Sequence, residues 1–158
     1  MNKELKQKIG GSLKHLANFI KRENVTAMLN FALRGNYLIL DKFVDLNQVK
    51  YIYHCQPRGL TVHWLAGNVP LLGLYSIFQA ILTKNVSLIK ASSRVYEEFL
   101  ILLDSINSIN TEQIKGNELL QTLAVVLVER DDLKTLTKMS QAADIRIAWG
   151  GQEAIETV

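Results

Sequence analysis

The sequence predicts an α/β protein in which N-terminal helices precede a doubly wound parallel sheet, a partial Rossmann-like domain. Three features of the chain point to this class. From residue 60 onward, short apolar runs alternate with helical segments, an order that gives parallel strands joined by right-handed crossovers. Residues 123–128 are apolar throughout, which is typical of a strand covered on both faces. After the strand predicted at 60–65, an Asn-Val-Pro turn opens a long apolar helix, with proline in the first turn where its missing N–H costs little.

Helices dominate the prediction for the first third of the chain. Apolar residues recur at helical spacing up to Ile20, and a second helix is expected over residues 26–33 after a break at Asn24. Residues 37–40 fit either a strand or a helical turn. Residues 49–54 alternate as the residues of a strand do.

The rest of the chain reads as alternating strands and helices. In chain order we expect strand 60–65, helix 70–82, strand 86–89, a turn at 90–93, helix 95–106, polar loop 107–118, strand 123–128, a helix capped by Asp131 or Asp132, strand 145–149 and the start of a helix at Gly150-Gly151. We therefore divide the chain into a helical segment, 1–48, and part of a dinucleotide-binding domain, 49–158. The last helix has hardly begun at Val158, so we expect the sequence to be a fragment.

The composition is that of a folded protein, with 48% hydrophobic and 21% charged residues among 158. One cysteine gives no disulfide framework, and neither a membrane-spanning run nor a secretory signal is seen, so a cytoplasmic location is expected. The net charge of +3 is densest among the N-terminal lysines. A solvated helix face explains those lysines more simply than nucleic-acid binding does.

Asn68 is the first candidate for a functional residue. It follows a predicted strand and precedes Pro70, at the carboxyl end where open α/β sheets bind ligands. Its amide could donate to a developing oxyanion without using a charge. An asparagine before an apolar helix can equally be a simple N-cap, so both interpretations stay open.

Lys90 ends an apolar strand and could reach the ribose or phosphate of a nucleotide that lies across the strand ends. The alternative is a solvated strand end. Ser92 and Ser93 could donate to ribose or phosphate oxygens, although capping of the next helix is the expected use of at least one.

Gly150 and Gly151 follow a strand and open a helix, where free backbone N–H groups can hold a pyrophosphate. A tight strand-to-helix turn accounts for the two glycines equally well. Cys55 is a poor candidate for a nucleophile, because its neighbour His54 should point to the opposite face of the strand. No set of residues with metal-ligand spacing is visible in the sequence.

Four motifs together resemble the acyl-CoA reductase branch of the aldehyde dehydrogenase superfamily, in particular the LuxC-like long-chain fatty acyl-CoA reductases that supply aldehyde to bacterial luciferase. They are Pro57-x-Gly59, Gly67-Asn68-Val69-Pro70, the stretch from Lys84-Asn85 to Ser92-Ser93, and Ala148-Trp149-Gly150-Gly151. The resemblance covers residues 49–158.

The resemblance implies roles for these positions. Asn68 would stabilise the tetrahedral oxyanion at the thioester carbon, Lys90 would bind the adenosine ribose, and Gly150 and Gly151 would lie beside the cofactor pyrophosphate. The family forms an acyl-enzyme on a cysteine, which hydride from a nicotinamide then reduces to aldehyde. Its substrates are fatty acyl-CoA or other acyl thioesters, acyl-transferring proteins are possible partners, and the complete enzymes are usually homo-oligomers.

Three departures from the family pattern qualify these roles. The nucleophilic cysteine of the family lies beyond Val158, and Cys55 does not match it. Ile155 stands where many members have a further glycine. Ser93, followed by Arg94, replaces a glutamate that binds both ribose hydroxyls in many NAD-preferring relatives. Loss of a carboxylate and gain of a cation favour NADP(H).

Two other functions remain open at this point. The chain could be a non-catalytic nucleotide-binding or interaction module that kept the fold. It could also belong to an aldehyde-oxidising dehydrogenase, whose general base would lie in a region that this sequence does not include.

Overall fold

Helical segments and a short antiparallel ribbon form the N-terminal part of the chain. The computed structural model describes residues 14–46, 51–65, 67, 70–152 and 155. The elements before residue 57 are a helical segment at 14–19, helix α1 (Arg22–Ala32), a 3-10 turn (Tyr37–Leu40) and strands β1 (Val44–Asp45) and β2 (Ile52–Tyr53). The two strands pair antiparallel.

The predicted break at Asn24 is wrong, because α1 already begins at Arg22. The chain turns instead at Lys21, whose backbone is extended, with φ −56° and ψ 138°. The Asn24 side chain donates from Nδ2 to the Asn18 carbonyl at 2.8 Å, so it binds the end of the preceding helical segment. Residues 37–40 adopt the helical turn rather than the strand, and Asn36 Oδ1 caps that turn by accepting from the Leu38 N–H.

Four parallel strands form the sheet in the second part of the chain, and they confirm the predicted fold class. The elements in chain order are β3 (Leu60–Trp64), α2 (Pro70–Leu82), β4 (Val86–Ala91), α3 (Tyr96–Asn107), α4 (Gly116–Leu120), β5 (Leu123–Leu127), α5 (Leu133–Ala142) and β6 (Ile145–Ala148). The strand order is β5-β4-β3-β6, with every pairing parallel. The chain therefore steps outward from β3 to β5 and then returns to the other side of β3.

Hydrophobic clusters cover both faces of this sheet, as a doubly wound fold requires. On one face, Leu65, Ile89 and Ala91 pack with Ile77 of α2 and with Phe99 of α3. On the other face, the cluster consists of buried Val62, Trp64 and Met139 with the half-buried side chains around them. Met139 belongs to α5, so the crossover helices lie on opposite faces of the sheet.

The amino-terminal edge of the sheet is closed by side chains that satisfy backbone donors. Asn85 Oδ1 accepts from the N–H groups of Arg58 and Gly59, at 2.7 and 3.1 Å, just before β3 begins. Asp144 Oδ2 accepts from the Leu60 N–H at 2.8 Å. Gly59 has φ +122°, and a Cβ there would overlap the Asp144 carboxylate, which explains the glycine.

Three details differ from the predicted elements. Strand β4 continues through Lys90 and Ala91, predicted as a turn, because these residues pair with Val126 and Leu127 of β5. The predicted loop 107–118 contains an isolated bridge and the first turn of α4. In the described sheet β5 is an edge strand and Leu127 is 47% exposed, so the prediction of complete cover for this strand is wrong.

The structure divides into two compact units, Met1–Pro57 and Arg58–Val158. The assignment of residues 49–158 to a dinucleotide-binding domain stays a prediction. Within the described part of the chain, the helices are too short or too polar to cross a membrane.

Candidate functional site

The carboxyl ends of β3, β4 and β6 meet at one edge of the sheet and form the candidate site. The Leu65 N–H donates to the Lys90 carbonyl at 3.1 Å, and the Trp149 N–H donates to the Trp64 carbonyl at 2.9 Å. These two bonds join the ends of the three strands. The strand order reverses between β3 and β6, and ligands of open α/β sheets bind outside such a switch point.

Lys90 lies at the end of β4, between the register partners Trp64 of β3 and Val126 of β5. Its side chain is half-buried. Burial lowers the pKa of the Lys90 ammonium below its ordinary value, the Arg130 guanidinium lowers it further, and the Glu129 carboxylate acts in the opposite direction. Neither Lys90 nor Arg130 forms an ion pair with a residue that the structure describes.

Ser92 lies next to Gly67, at the ends of adjacent strands. A Cβ on Gly67 would lie 2.6 Å from Ser92 Oγ, so only glycine allows the two turns to approach this closely. Ser92 Oγ is buried and has no hydrogen-bond partner among the described residues. An unpaired buried hydroxyl is uncommon, because desolvation without a hydrogen bond is unfavourable.

The expectation that Ser92 or Ser93 caps the next helix is wrong. Helix α3 begins at Tyr96 with Val95 as its N-cap, and no side chain of a described residue caps it. The Ser92 carbonyl accepts the N–H groups of Val95 and Tyr96, both at 3.1 Å, so the turn is closed by backbone bonds. The hydroxyl of Ser92 therefore caps no helix in the described part of the chain, while Ser93 is exposed to solvent.

Gly150 and Gly151 follow β6 at the same edge, and both are exposed. The Gly151 carbonyl accepts from the Ile155 N–H at 3.2 Å, which is the geometry of a helical turn. A Cβ on Gly151 would meet no atom of the described residues within 4 Å, so packing against them does not require a glycine there. Just before them, Trp149 Nε1 is a second buried donor without a partner among the described residues.

Asn68 lies outside the described residues, and its oxyanion and N-cap roles stay predictions. The structure thus brings together Lys90, Ser92 and Ser93 at the end of β4, and it places Gly150 and Gly151 two strands away on the same edge.

The sequence reasoning missed a buried polar group beneath helix α2. The His63 ring of β3 lies 2.9 Å, through Nδ1, from Ser76 Oγ and 3.3 Å, through Nε2, from Ser87 Oγ. His63 is completely buried, and this burial lowers its pKa to about 4. The signal in the sequence was the alternation of Thr61 and His63 with apolar residues on a strand that is covered on both faces.

Cys55 is half-buried in the first unit, where its N–H donates to the Ile39 carbonyl at 2.8 Å. The neighbouring His54 stacks at an angle against Phe43 and lies, through Nδ1, 2.6 Å from Gln56 Nε2. The described residues contain no group of three or more potential metal ligands.

A doubly wound parallel sheet whose strand order reverses between β3 and β6 defines the class, a Rossmann-like α/β domain. The family follows from sequence comparison. Residues 2–158 match the family model described as acyl-CoA reductase (LuxC), and the chain belongs to that family.

The curated proteins that match the chain are named as long-chain acyl-protein thioester reductases. The chain is 37% identical over 130 residues to the long-chain acyl-protein thioester reductase of Aliivibrio fischeri, an alignment of 82% of the chain and 26% of the relative. It is 39% identical over 101 residues to long-chain acyl-protein thioester reductase 2 of Photobacterium leiognathi, covering 63% and 20%. The reductase of Photorhabdus luminescens is 35% identical over 122 residues, covering 77% and 24%. The chain spans about a quarter of the length of these relatives.

Proposed function

We propose that this chain is the cofactor-binding N-terminal part of a reductase that converts a fatty acyl thioester to an aldehyde. The match of residues 2–158 to the acyl-CoA reductase family carries the proposal. The relatives named as acyl-protein thioester reductases support an acyl thioester as substrate, either acyl-CoA or an acyl group delivered by a partner protein.

The carboxyl edge of the sheet suits a nicotinamide nucleotide. Lys90 would bind the adenosine ribose, the unpaired hydroxyl of Ser92 would donate to a ribose or phosphate oxygen, and the turn at Gly150 and Gly151 would hold the pyrophosphate. The nicotinamide, when bound, supplies the hydride for the reduction. We further propose NADP(H), because Ser93 and Arg94 provide a hydroxyl and a cation where a carboxylate would repel a 2′-phosphate.

The residues of this chain would contribute binding, orientation and one oxyanion donor. In the proposal Asn68 donates its amide N–H to the oxygen of the tetrahedral adduct. The acyl-accepting cysteine would come from a part of the enzyme outside these residues, because Cys55 does not match the family nucleophile. The complete enzyme would be a homo-oligomer in the cytoplasm.

The test is an assay of the full-length protein that contains this chain, with a fatty acyl-CoA and either NADPH or NADH. The expected result is aldehyde formed with oxidation of NADPH. Binding of NADPH without turnover on acyl-CoA or acyl-protein would favour a non-catalytic nucleotide module. Oxidation of added aldehyde, with no reduction of thioester, would favour an aldehyde dehydrogenase. Tighter binding of NADH than of NADPH would overturn the cofactor assignment alone.

A further inference from the structure

A chain of buried polar groups runs from strand β4 through β3 into helix α2. His63 of β3 is completely buried, and Ser76 of α2 and Ser87 of β4 are almost completely buried. The imidazole joins the two serines, with Nδ1 2.9 Å from Ser76 Oγ and Nε2 3.3 Å from Ser87 Oγ. The Ser76 hydroxyl continues the chain to the Gly73 carbonyl, at 3.2 Å. One ring therefore connects two neighbouring strands to the helix that packs on them.

The proton positions give this chain a direction. A hydroxyl carries a single proton, and that of Ser76 is donated to the Gly73 carbonyl, so Ser76 Oγ accepts from the Nδ1–H of His63. The other ring nitrogen, Nε2, is then unprotonated and accepts from the Ser87 hydroxyl. Burial favours this neutral ring and lowers the pKa of His63 to about 4. The ring is therefore held in one tautomer, with its N–H directed at the helix.

The bond to Ser76 fixes the part of α2 that follows the carboxyl end of β3. Helix α2 begins at Pro70, so Gly73 and Ser76 belong to its first two turns. Gly73 lets these turns pack closely against the end of β3, because a Cβ there would lie 2.6 Å from Leu65 Cδ1. The Leu65 backbone is in turn fixed by its N–H bond to the Lys90 carbonyl, at 3.1 Å. The connection from β3 to α2 is therefore anchored on both sides.

Asn68, the proposed oxyanion donor, belongs to this short connection, three residues after Leu65 and two before Pro70 in the sequence. An oxyanion donor is effective only when its N–H lies where charge develops, and a displacement of about 1 Å can lower turnover roughly a hundredfold. We propose that His63 is a positioning residue that, through its bond to Ser76, fixes the start of α2 and thereby orients Asn68 for the reduction. This inference rests on the proposed function, because it assigns a supporting group to the same oxyanion donor.

The first test is Ser76→Ala in the full-length reductase, with steady-state kinetics on a fatty acyl-CoA and NADPH. The change removes the acceptor of the His63 Nδ1–H and keeps Asn68. The turnover number should fall roughly tenfold, which is part of the loss expected when Asn68 itself is removed. The dissociation constant of NADPH, from titration calorimetry, should change less than about twofold, because the variant alters no proposed nucleotide contact.

Ser87→Ala is the matched control. It removes the same hydroxyl group from the other side of the same ring, but Ser87 lies on β4 and its bond does not lead to the helix. Each serine variant leaves one buried ring nitrogen unpaired, so both should lower the free energy of unfolding to a similar extent. Only Ser76→Ala should lower the turnover number. Equal losses of turnover in the two variants would show that the ring contributes to stability and does not position Asn68.

Two substitutions test the ring itself. His63→Gln keeps a donor and an acceptor in the side chain, so it should retain most of the turnover of the parent enzyme. His63→Leu fills the space without hydrogen bonds and should lose turnover as Ser76→Ala does. Equal turnover by the glutamine and leucine variants would contradict the proposal. If the leucine variant does not fold, which circular dichroism would show, the comparison of Ser76→Ala with Ser87→Ala still decides the question.

A double-mutant cycle separates this inference from the function on which it rests. If Ser76 acts through Asn68, Ser76→Ala should lower turnover no further in an enzyme that already carries Asn68→Ala. Additive losses would overturn the role of His63 and leave the proposed function intact, as would unchanged turnover of Ser76→Ala in a parent that reduces thioesters. Parent-like turnover of Asn68→Ala would overturn the oxyanion role and this inference together. A full-length parent that reduces no acyl thioester would overturn the proposed function itself.

Discussion

The two edges of the parallel sheet differ in how their polar groups are satisfied. At the amino edge, Asn85 and Asp144 accept three backbone N–H bonds between them, all between 2.7 and 3.1 Å. At the carboxyl edge, Ser92 Oγ and Trp149 Nε1 are buried and have no partner among the described residues, and Lys90 lies near a second cation.

This contrast separates groups that stabilise the fold from groups that are available to a ligand. Buried polar atoms that are already paired contribute to stability, and their removal exposes the partner to an unfavourable environment. Buried donors without a partner lower the stability of the folded state on its own, but they can gain a partner when a nucleotide binds. The following variants test whether the two edges really divide stability and binding in this way.

The largest effect is expected from Asn85→Ala at the amino edge. The change leaves the part-buried N–H groups of Arg58 and Gly59 without their acceptor, and an unpaired group of this kind costs about 1–3 kcal/mol. We expect the free energy of unfolding to fall by about 3 kcal/mol in urea titrations of the 158-residue chain. Nucleotide affinity of the folded protein should not change. A drop in affinity with unaltered stability would contradict the division between the edges.

Asn68→Ala should have the next largest effect, on turnover rather than on stability. Loss of one oxyanion donor lowers the turnover number by roughly a hundredfold, equivalent to about 2.7 kcal/mol. Steady-state kinetics of the full-length enzyme with saturating NADPH measure it, with Asn68→Asp as a second variant that keeps the size of the side chain. Unchanged turnover would remove Asn68 from the mechanism and leave the N-cap interpretation.

How far the sequence alone predicts this molecule depends on whether a feature is local or arises between strands. Strand β3, helix α2 and the Asp132 cap of α5 follow from apolar runs and turn residues, and the structure confirms them. The capping of α3 was predicted wrongly, because backbone bonds to the Ser92 carbonyl compete with the hydroxyl for the same N–H groups.

Contacts between neighbouring strands cannot be predicted from the sequence alone. The proximity of Arg130 to Lys90 depends on the register of β4 and β5, and the His63 contacts depend on where helix α2 settles on the sheet. The closeness of Gly67 to Ser92 has the same origin. Of the candidate site, the sequence therefore identifies the residue types at each strand end, while the pairing that would complete a nucleotide site requires the fold.

His63 should make stability depend on pH. Its folded pKa, about 4, lies below the ordinary value of 6.5, so the unfolded chain binds the proton more readily. Protonation of His63 in the unfolded chain therefore opposes folding only under acid conditions. The free energy of unfolding should have its full value above pH 6.5, and it should fall by about 2 kcal/mol between pH 7 and pH 5. His63→Gln should remove this slope while keeping partners for Ser76 and Ser87. Equal slopes in urea titrations of both chains would show that His63 is not responsible.

The smallest predicted effect is a difference in NADPH affinity between variants of two buried hydroxyls, Ser92 and Thr61, that have no partner among the described residues. Ser92→Ala should leave the free energy of unfolding unchanged or slightly higher, because the hydroxyl has no partner among the described residues. It should weaken NADPH binding about fivefold, the value of one hydrogen bond. Thr61→Val is the matched control, since Thr61 Oγ1 is also buried without a partner in the described part of the chain but lies in β3, near its amino end. Calorimetric titration should find no change in its NADPH affinity. If the two variants weakened binding equally, an unpaired hydroxyl would not mark the ligand site, and the contrast between the edges would rest on the cations alone.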